Sequence, residues 1–514
     1  MKIFLAVALA GMSLPVCGYS QETNEVEMLK SELRRMQEDF NRIQQEQKAQ
    51  INALQRKVEE LSRRQVVVAT NSVLAETASE SSPEPESIAS SWSPSDPVRL
   101  GAGRVYADIG LVATFAAGSS TANDIAGGTQ LGGHDPNQRG FTMQGAELNI
   151  QGAVDPYLRG NANILFSIDE EGESFVELEE AWVETVSLPG NFQIRAGQFL
   201  SEFGRQNTLH PHAWAFVDAP LVTARLLGPD GLRNPGARIS WLAPTPFYSE
   251  LFFGIQNSHG ETAAPFRSSG HGHGHDDEEL LPFGFRHPDN DRGVKNFSDL
   301  LFTPRYAMSF DLTDSQTVVL GFSGAFGPNS SGAGGDTRTE IYGADLYWKW
   351  KPANARSGFP FVSFQTEAIL RRYELGAFDW DENGNGIADE GEVIDSLTGL
   401  PAVLRRETVT DWGFYSQVLY GFRRGWVAGL RFDYLTGEKA DYERGGLSLD
   451  GDALGRDPVR NERWRISPNL TWYPTEFSKI RLQYNYDDRR GIGTDHSVWL
   501  QCEFLLGAHA AHKF

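Results

Sequence analysis

The sequence predicts an all-β protein, a transmembrane β-barrel of about sixteen antiparallel strands that is preceded by an N-terminal coiled-coil helix. Three observations predict this fold class. Apolar and polar residues alternate through residues 99–514, short turns alternate with longer polar segments, and no run of about 18 apolar residues follows the N-terminus. The mature chain therefore has no segment for a membrane-spanning helix, and its apolar residues are spread over alternating strand positions.

Three segments precede the barrel. Residues 1–20 form a predicted signal peptide, because a lysine is followed by a short apolar run. Residues 22–64 form a predicted periplasmic coiled coil, because apolar residues recur three and four positions apart; a single amphipathic helix is the alternative. Residues 65–98 are rich in Ser, Pro and Glu and form a predicted disordered linker.

The barrel itself, residues 99–514, is predicted from a hydrophobic period of two. In residues 463–472 the even positions are apolar or aromatic, apart from one proline, and the odd positions are polar. The same holds for residues 480–486. Each strand therefore has one face suited to lipid and one suited to water.

The connections predict the number of strands. Seven short turns lie near residues 155, 189, 245, 314, 355, 424 and 474. Eight longer polar loops lie near residues 118–140, 169–174, 203–234, 259–301, 327–336, 374–403, 437–460 and 487–494. This alternation requires sixteen strands with both barrel ends on the short-turn side, a pattern typical of bacterial outer-membrane barrels. A soluble β-sandwich is the alternative, but it would not separate short and long connections so regularly.

These segments predict where the protein lies and with what it associates. We expect it in the outer membrane of a Gram-negative bacterium, in contact with membrane lipid, with the coiled coil in the periplasm. A coiled coil buries its apolar stripe only against other helices, so the repeat predicts an oligomer. The barrel architecture favours a homotrimer, held by the coil and the barrel. Lys and Arg number 46 against 68 Asp and Glu, and this net charge of −22 argues against a nucleic-acid partner.

Short motifs carry a family resemblance. Residues 195–199 read Arg-Ala-Gly-Gln-Phe and are followed by Phe-Gly at 203–204, Asp-Ala-Pro-Leu-Val at 218–222 and Gly-Ala-Arg at 236–238. These motifs resemble the porin superfamily, nearest to the phosphate-selective porins of the O/P type. The ending 506–514 resembles outer-membrane proteins labelled zinc-regulated receptors. The porin resemblance implies a sixteen-strand, trimeric barrel.

A porin would allow passive diffusion of small hydrophilic or ionic solutes through a pore lined by charged side chains. Alternation predicts that the pore-lining residues include Arg159, Arg195, Arg371, Arg431, Arg463, Arg465, Arg481, Glu147, Glu177 and Glu179. The third long loop takes the position at which porins constrict the pore. Its candidate constriction residues are Arg205, His210, His212, Asp218 and Arg225.

Two further loops predict metal sites, although no cofactor is required for diffusion. His271, His273 and His275 are spaced by glycines and precede four acidic residues, so they are candidate zinc ligands. Residues 381–392 match the twelve-position calcium loop. Its candidate ligands are Asp381, Asn383, Asn385, Ile387 through its carbonyl, Asp389 and Glu392. His210-Pro211-His212 is a weaker candidate, because two histidines in a turn more often form hydrogen bonds.

Other functions stay open at this point. The sequence has no catalytic motif such as the Gly-x-Ser-x-Gly elbow or a zincin helix, so we expect that the protein is not an enzyme. One alternative is a transporter or receptor that captures divalent metal, such as zinc. Another is a non-conducting structural barrel or adhesin.

Overall fold

The computed structural model describes residues 98–102, 105–169, 172–260, 262–267, 286, 293–332, 335–381, 383–389, 392–395, 398–438 and 461–507. The predicted signal peptide, the coiled coil and nearly all of the predicted linker lie outside these residues. So do the three glycine-spaced histidines, His271, His273 and His275. Among the described residues, no helix combines the length and the apolar character needed to cross a membrane.

The described residues form twenty-one strands and one α-helix. The strands are β1 (Val98–Ala102), β2 (Val105–Ser120), β3 (Gly140–Ala153), β4 (Leu158–Ile168), β5 (Ser174–Thr185), β6 (Phe192–Leu200), β7 (Arg233–Leu242), β8 (Tyr248–Asn257), β9 (Leu300–Thr313), β10 (Gln316–Pro328), β11 (Arg338–Trp350), β12 (Phe361–Leu375), β13 (Phe378–Asp379), β14 (Ile394–Asp395), β15 (Leu400–Pro401), β16 (Val403–Leu404), β17 (Glu407–Arg423), β18 (Trp426–Gly437), β19 (Arg463–Thr475), β20 (Ser478–Arg489) and β21 (Gly493–Gly507). The helix, α1, spans Leu221–Leu227.

Strands β2–β12 and β17–β21 pair antiparallel in chain order and close into a sixteen-stranded barrel when β21 pairs with β2. The closing register runs from Gly110 opposite Gly507 to Ser120 opposite Ser497. Strand β1 pairs with the first residues of β2, beside the end of β21. This architecture confirms the predicted all-β, sixteen-stranded antiparallel barrel, while the predicted coiled coil lies outside the described residues.

Side-chain orientation follows the predicted alternation, as β19 illustrates. Ile466 is 38% exposed on the outer face, whereas its neighbour Arg465 is 1% exposed and points into the barrel. The short connections lie where the sequence places them. Between β17 and β18, only Arg424 and Gly425 separate the strands, and Gly425 has a φ of 77°, a conformation that favours glycine.

The main apolar core lies inside the barrel rather than between layers. Residues 201–232 connect β6 to β7, and we call this segment the inner loop. Its apolar side chains, including Phe203, Val222, Leu226 and Leu227 around α1, pack against inward-facing residues such as Ile341 and Ile369. All of these side chains are at most 2% exposed. The inner loop is thus held within the barrel by hydrophobic burial.

Candidate functional site in the barrel interior

The inner loop enters the barrel through contacts with β10, β11 and β12. The backbone N–H of Gly204 donates to the Ser323 hydroxyl at 3.0 Å, and that of Gln206 donates to Glu367 Oε1 at 2.7 Å. The Arg205 guanidinium stacks over the Tyr347 ring, 4.0 Å from its centre. These contacts fix the start of the loop against one part of the wall.

Asp218, farther along the inner loop, is the centre of a buried ion-pair network. Its Oδ1 accepts from Arg431 Nη2 at 2.7 Å, and its Oδ2 accepts from Arg465 Nη1 at 3.0 Å. Gln483 and Asn485 also donate to the carboxylate. Burial on its own would raise the pKa of Asp218, but the two arginines hold the pKa below its usual value.

The neighbouring arginines also contact the protein. Arg463 and Arg465 both donate to Asp487 Oδ2, at 2.5 and 2.6 Å. Arg481 donates to the backbone carbonyls of Phe216 at 2.9 Å and Trp214 at 3.0 Å. We call Arg431, Arg463, Arg465 and Arg481 the arginine cluster. Their side chains point inward, as alternation predicts, but in this structure the guanidinium groups are buried against loops and carboxylates.

On another part of the wall, the inner loop meets a glutamate cluster formed by Glu147, Glu179 and Glu180. His210 Nδ1 lies 3.3 Å from Glu179 Oε2, and His210 Nε2 lies 3.1 Å from Glu180 Oε2. His212 Nδ1 lies 2.9 Å from Glu147 Oε2. The structure therefore brings both predicted loop histidines to two of the predicted inward glutamates, and adds a third.

The remaining predicted interior residues also form pairs. Arg371 pairs with Asp411 at 2.5 Å, and Glu177 pairs with Arg233. Arg159 and Arg195 each donate to Glu184 at 2.8 Å. Arg225, in α1, donates to the carbonyl of Asn461 at 3.4 Å. Of the ten predicted pore-lining side chains, Arg159 stands out, since 54% of it is exposed.

Sequence reasoning missed several partners in this interior. Asp487 follows the same inward alternation as Arg481, so the sequence contained a signal for it. Glu180 had no such signal, because a β-bulge changes the alternation within β5. Asn163 pairs with Glu180 and Ile164 with Leu178, so Glu179 is an extra residue in the register.

The calcium-like loop lies away from the barrel interior. Asp381 accepts hydrogen bonds from the backbone N–H groups of Asn385 and Gly386, both at 2.9 Å. Asp389 Oδ2 accepts from the side-chain amides of Asn383 at 2.6 Å and Asn385 at 2.7 Å. Two further contacts link the backbone N–H of Asp389 to Glu392 at 3.0 Å and that of Ile387 to Asn385 at 2.7 Å. The predicted ligand residues thus lie around one curled, exposed loop.

These features define a class: a closed sixteen-stranded barrel whose interior holds an inserted loop. No family model matches the chain. A protein of Aquifex aeolicus (strain VF5), described as an uncharacterized protein, is 31% identical over 402 residues, which are 74% of this chain and 73% of that protein. The chain belongs to the same family as this Aquifex aeolicus protein.

Solved structures with a similar outline were also found. The outer membrane channel DcaP of Acinetobacter baumannii has 12% identity and a TM-score of 0.45, covering 78% of this chain and 97% of that one. OmpF of Salmonella typhi, in complex with daunomycin, has 11% identity and a TM-score of 0.43, covering 80% and 100%. The anion-selective porin of Comamonas acidovorans has 9% identity and a TM-score of 0.43, covering 78% and 100%. Sequence identities and TM-scores this low carry no argument about the function of the chain.

Proposed function

We propose that the protein is an outer-membrane porin that allows passive diffusion of small hydrophilic or ionic solutes. The observation that supports this most is the contrast between the two faces of the barrel wall. The outer face exposes large apolar side chains along neighbouring strands, including Leu430, Leu470, Leu482, Leu500 and Phe504, each between 40% and 51% exposed. The inner face carries charged and amide side chains. Lipid outside and water inside match this contrast.

We infer that the diffusing solutes are preferentially anionic. A buried ion pair contributes little to the electrostatic field along an aqueous path. The interior charges that are partly exposed therefore determine the ion selectivity. Arg159 is 54% exposed, Arg195 is 16% exposed, and Arg205 is also partly exposed. Glu184, which pairs with the first two, is fully buried. The exposed charge at Arg159 and Arg195 is therefore positive, and exposed charged side chains that line a pore select ions of the opposite sign.

Single-channel recording of the full-length protein in planar lipid bilayers tests both inferences. We expect stepwise conductance and a reversal potential in a potassium chloride gradient that indicates a preference for chloride. Arg159→Gln should reduce that preference. The matched control is Arg372→Gln, because Arg372 is 53% exposed but lies on the outer face. The absence of conductance from folded protein would contradict the porin, and an unchanged chloride preference in Arg159→Gln would contradict the anion selectivity.

We also propose that the protein is a homotrimer. The apolar repeat of residues 22–64 supports this, because a stripe of this kind is buried against other helices. On the outer face of β4–β6, the small residues Ala162, Ala181 and Ala196 would let a second barrel approach closely. Light scattering in detergent should give three copies for the full chain and fewer after deletion of residues 22–64. A full-length monomer would contradict the trimer.

Finally, we propose that residues 381–392 bind calcium and stiffen the loop that contains them. Oxygen ligands at alternate positions suit a hard cation, and the hydrogen bonds around Asp381 and Asp389 already curl the loop. Protease digestion of this loop with and without calcium tests the proposal.

A further inference from the structure

The glutamate cluster places three carboxylates in one buried site. Glu147 comes from β3, while the bulge in β5 turns both Glu179 and Glu180 inward. Their exposures are 5%, 2% and 7%. Burial of three carboxylates is costly without cations nearby. Arg233 Nη1 lies 3.7 Å from Glu179 Oε1, and the inner loop supplies imidazoles to the site.

His210 has the orientation of a metal ligand. Its Nδ1 faces Glu179 Oε2 at 3.3 Å and Glu147 Oε1 at 3.7 Å. Tetrahedral zinc, with bonds of about 2.0–2.2 Å, separates its ligand atoms by about 3.3–3.6 Å. The other ring nitrogen, Nε2, lies 2.8 Å from Asn163 Nδ2 and 3.1 Å from Glu180 Oε2. A carboxylate behind a ligating histidine is the usual arrangement at metal sites, because it orients the ring.

Two independent features indicate that the site takes a ligand. Glu179 Oε2 is buried and accepts no hydrogen bond. Two small cavities, of about 40 and about 20 Å³, are both lined by Glu179 and His134. His210 lines the larger cavity and Glu147 the smaller. A volume of about 10–15 Å³ holds a water molecule, so either cavity can supply a water ligand.

We propose that Glu147, Glu179 and His210 bind one divalent cation of the zinc type, with a water molecule as fourth ligand. The three ligand atoms lie within 4.8 Å of one another. Imidazole with carboxylate selects zinc-like ions over calcium and magnesium. Glu180 is a positioning residue for His210. The ion joins β3 and β5 to the inner loop, and this role goes beyond solute diffusion.

The test uses full-length protein folded in detergent, in which His271, His273 and His275 are replaced by serine to remove the predicted loop site. The protein is stripped with a chelator and dialysed against zinc in excess calcium, so that calcium competes with zinc for the proposed calcium loop at residues 381–392. Elemental analysis should then find one zinc per chain. Cobalt(II) in place of zinc should give the visible absorption of a tetrahedral site. A folded protein that retains neither metal overturns the proposal and leaves a protonated His210 as the partner of the glutamates.

Variants locate the ion. In the same background, Glu179→Gln and His210→Gln should lose the bound zinc, and Glu180→Gln should bind it about 10–100-fold more weakly. His259→Gln is the matched control, because His259 is exposed on another loop. Heat-modifiable migration on gels shows which variants are folded. Zinc retained at one per chain by folded Glu179→Gln would overturn the proposal, whether or not the barrel conducts.

Discussion

The inner loop meets the barrel wall at two clusters of opposite charge, and the two contacts differ in kind. At the arginine cluster, Asp218 lies between Arg431 and Arg465, and each arginine has a second carboxylate, Asp433 or Asp487. At the glutamate cluster, the loop contributes His210 and His212. Arginine contributes a fixed positive charge, whereas an imidazole can also ligate a metal ion.

The difference indicates a division of roles along one loop. The arginine cluster is a permanent anchor, because arginine keeps its charge at any physiological pH. The glutamate cluster is the contact that the proposed metal ion would bridge.

The largest effect should come from removing the anchor. Asp218→Ala leaves Arg431 and Arg465 without the loop carboxylate that both contact, and breaking a buried ion pair costs about 3–5 kcal/mol. We expect a lower free energy of unfolding in detergent and new protease cleavage within the inner loop. Denaturant titration and limited proteolysis measure the two effects.

Asp314→Ala is the matched control for this variant, because Asp314 is exposed in the short turn between β9 and β10. It should change neither quantity. If folded Asp218→Ala matched this control in stability and protease resistance, the arginine cluster would not be the anchor, and the contrast between the two clusters would fail.

The two clusters also show which structural features of this protein can be predicted from the sequence. Alternation places Arg465 inward and Ile466 outward, and the turns give the strand order, because both depend on residues close in sequence. What an inward side chain contacts depends on distant residues. Asp218 and Arg431 are 213 positions apart, so no local pattern distinguishes an arginine that faces water from one that holds a loop.

The inner loop itself shows the same limit. Its place as the third long loop and its charged residues could be identified from the sequence, and the structure puts them inside the barrel. The packing of its apolar core could not be predicted from the sequence. Leu226 lies in one buried cluster with β-strand residues that are distant in sequence, such as Ile341 and Ile369. The inward orientation of Glu180 could not be predicted either, because it depends on a bulge that shifts the strand register.

Apolar packing of α1, which follows Asp218 in the inner loop, should hold the loop about as firmly as the ion pairs do. Leu226→Ala removes a side chain that is 1% exposed, and such changes cost about 2–5 kcal/mol. Leu312→Ala is the control, because Leu312 is 55% exposed. Denaturant titration should show a lower free energy of unfolding for Leu226→Ala and an unchanged one for Leu312→Ala. Equal stabilities would mean that charge, without packing, fixes the loop.

The third prediction concerns a pH-dependent contact beside the arginine cluster. Asp135, in the connection between β2 and β3, accepts from the backbone N–H of Ala219 at 2.7 Å. Burial, together with the charge of Asp218, raises the pKa of Asp135 to about 7. The folded state thus binds a proton more tightly than the unfolded state does. The resulting stabilisation is complete below about pH 4 and is lost as the pH rises through about 7.

Between pH 6 and pH 8 this titration should lower the free energy of unfolding by about 1.4 kcal/mol. The asparagine in Asp135→Asn does not ionise. The difference in free energy of unfolding between wild type and variant should therefore change by this amount between pH 6 and pH 8. Denaturant titrations at the two pH values measure it, with chelator present to remove metal effects. A pH-independent difference would contradict this titration of Asp135 and would make its contact with Ala219 as permanent as the ion pairs of the arginine cluster.

The smallest effect is local and lies outside both clusters. Glu392→Gln removes the predicted bidentate ligand of the calcium-like loop, so calcium should no longer protect residues 381–392 from protease. Global stability should stay within about 0.5 kcal/mol, because Glu392 contacts its own loop through Asp389. Protease digestion with and without calcium measures the change, and unchanged protection would contradict the calcium site. A metal effect confined to this loop would separate it from the ion proposed at the glutamate cluster, whose loss should loosen the inner loop instead.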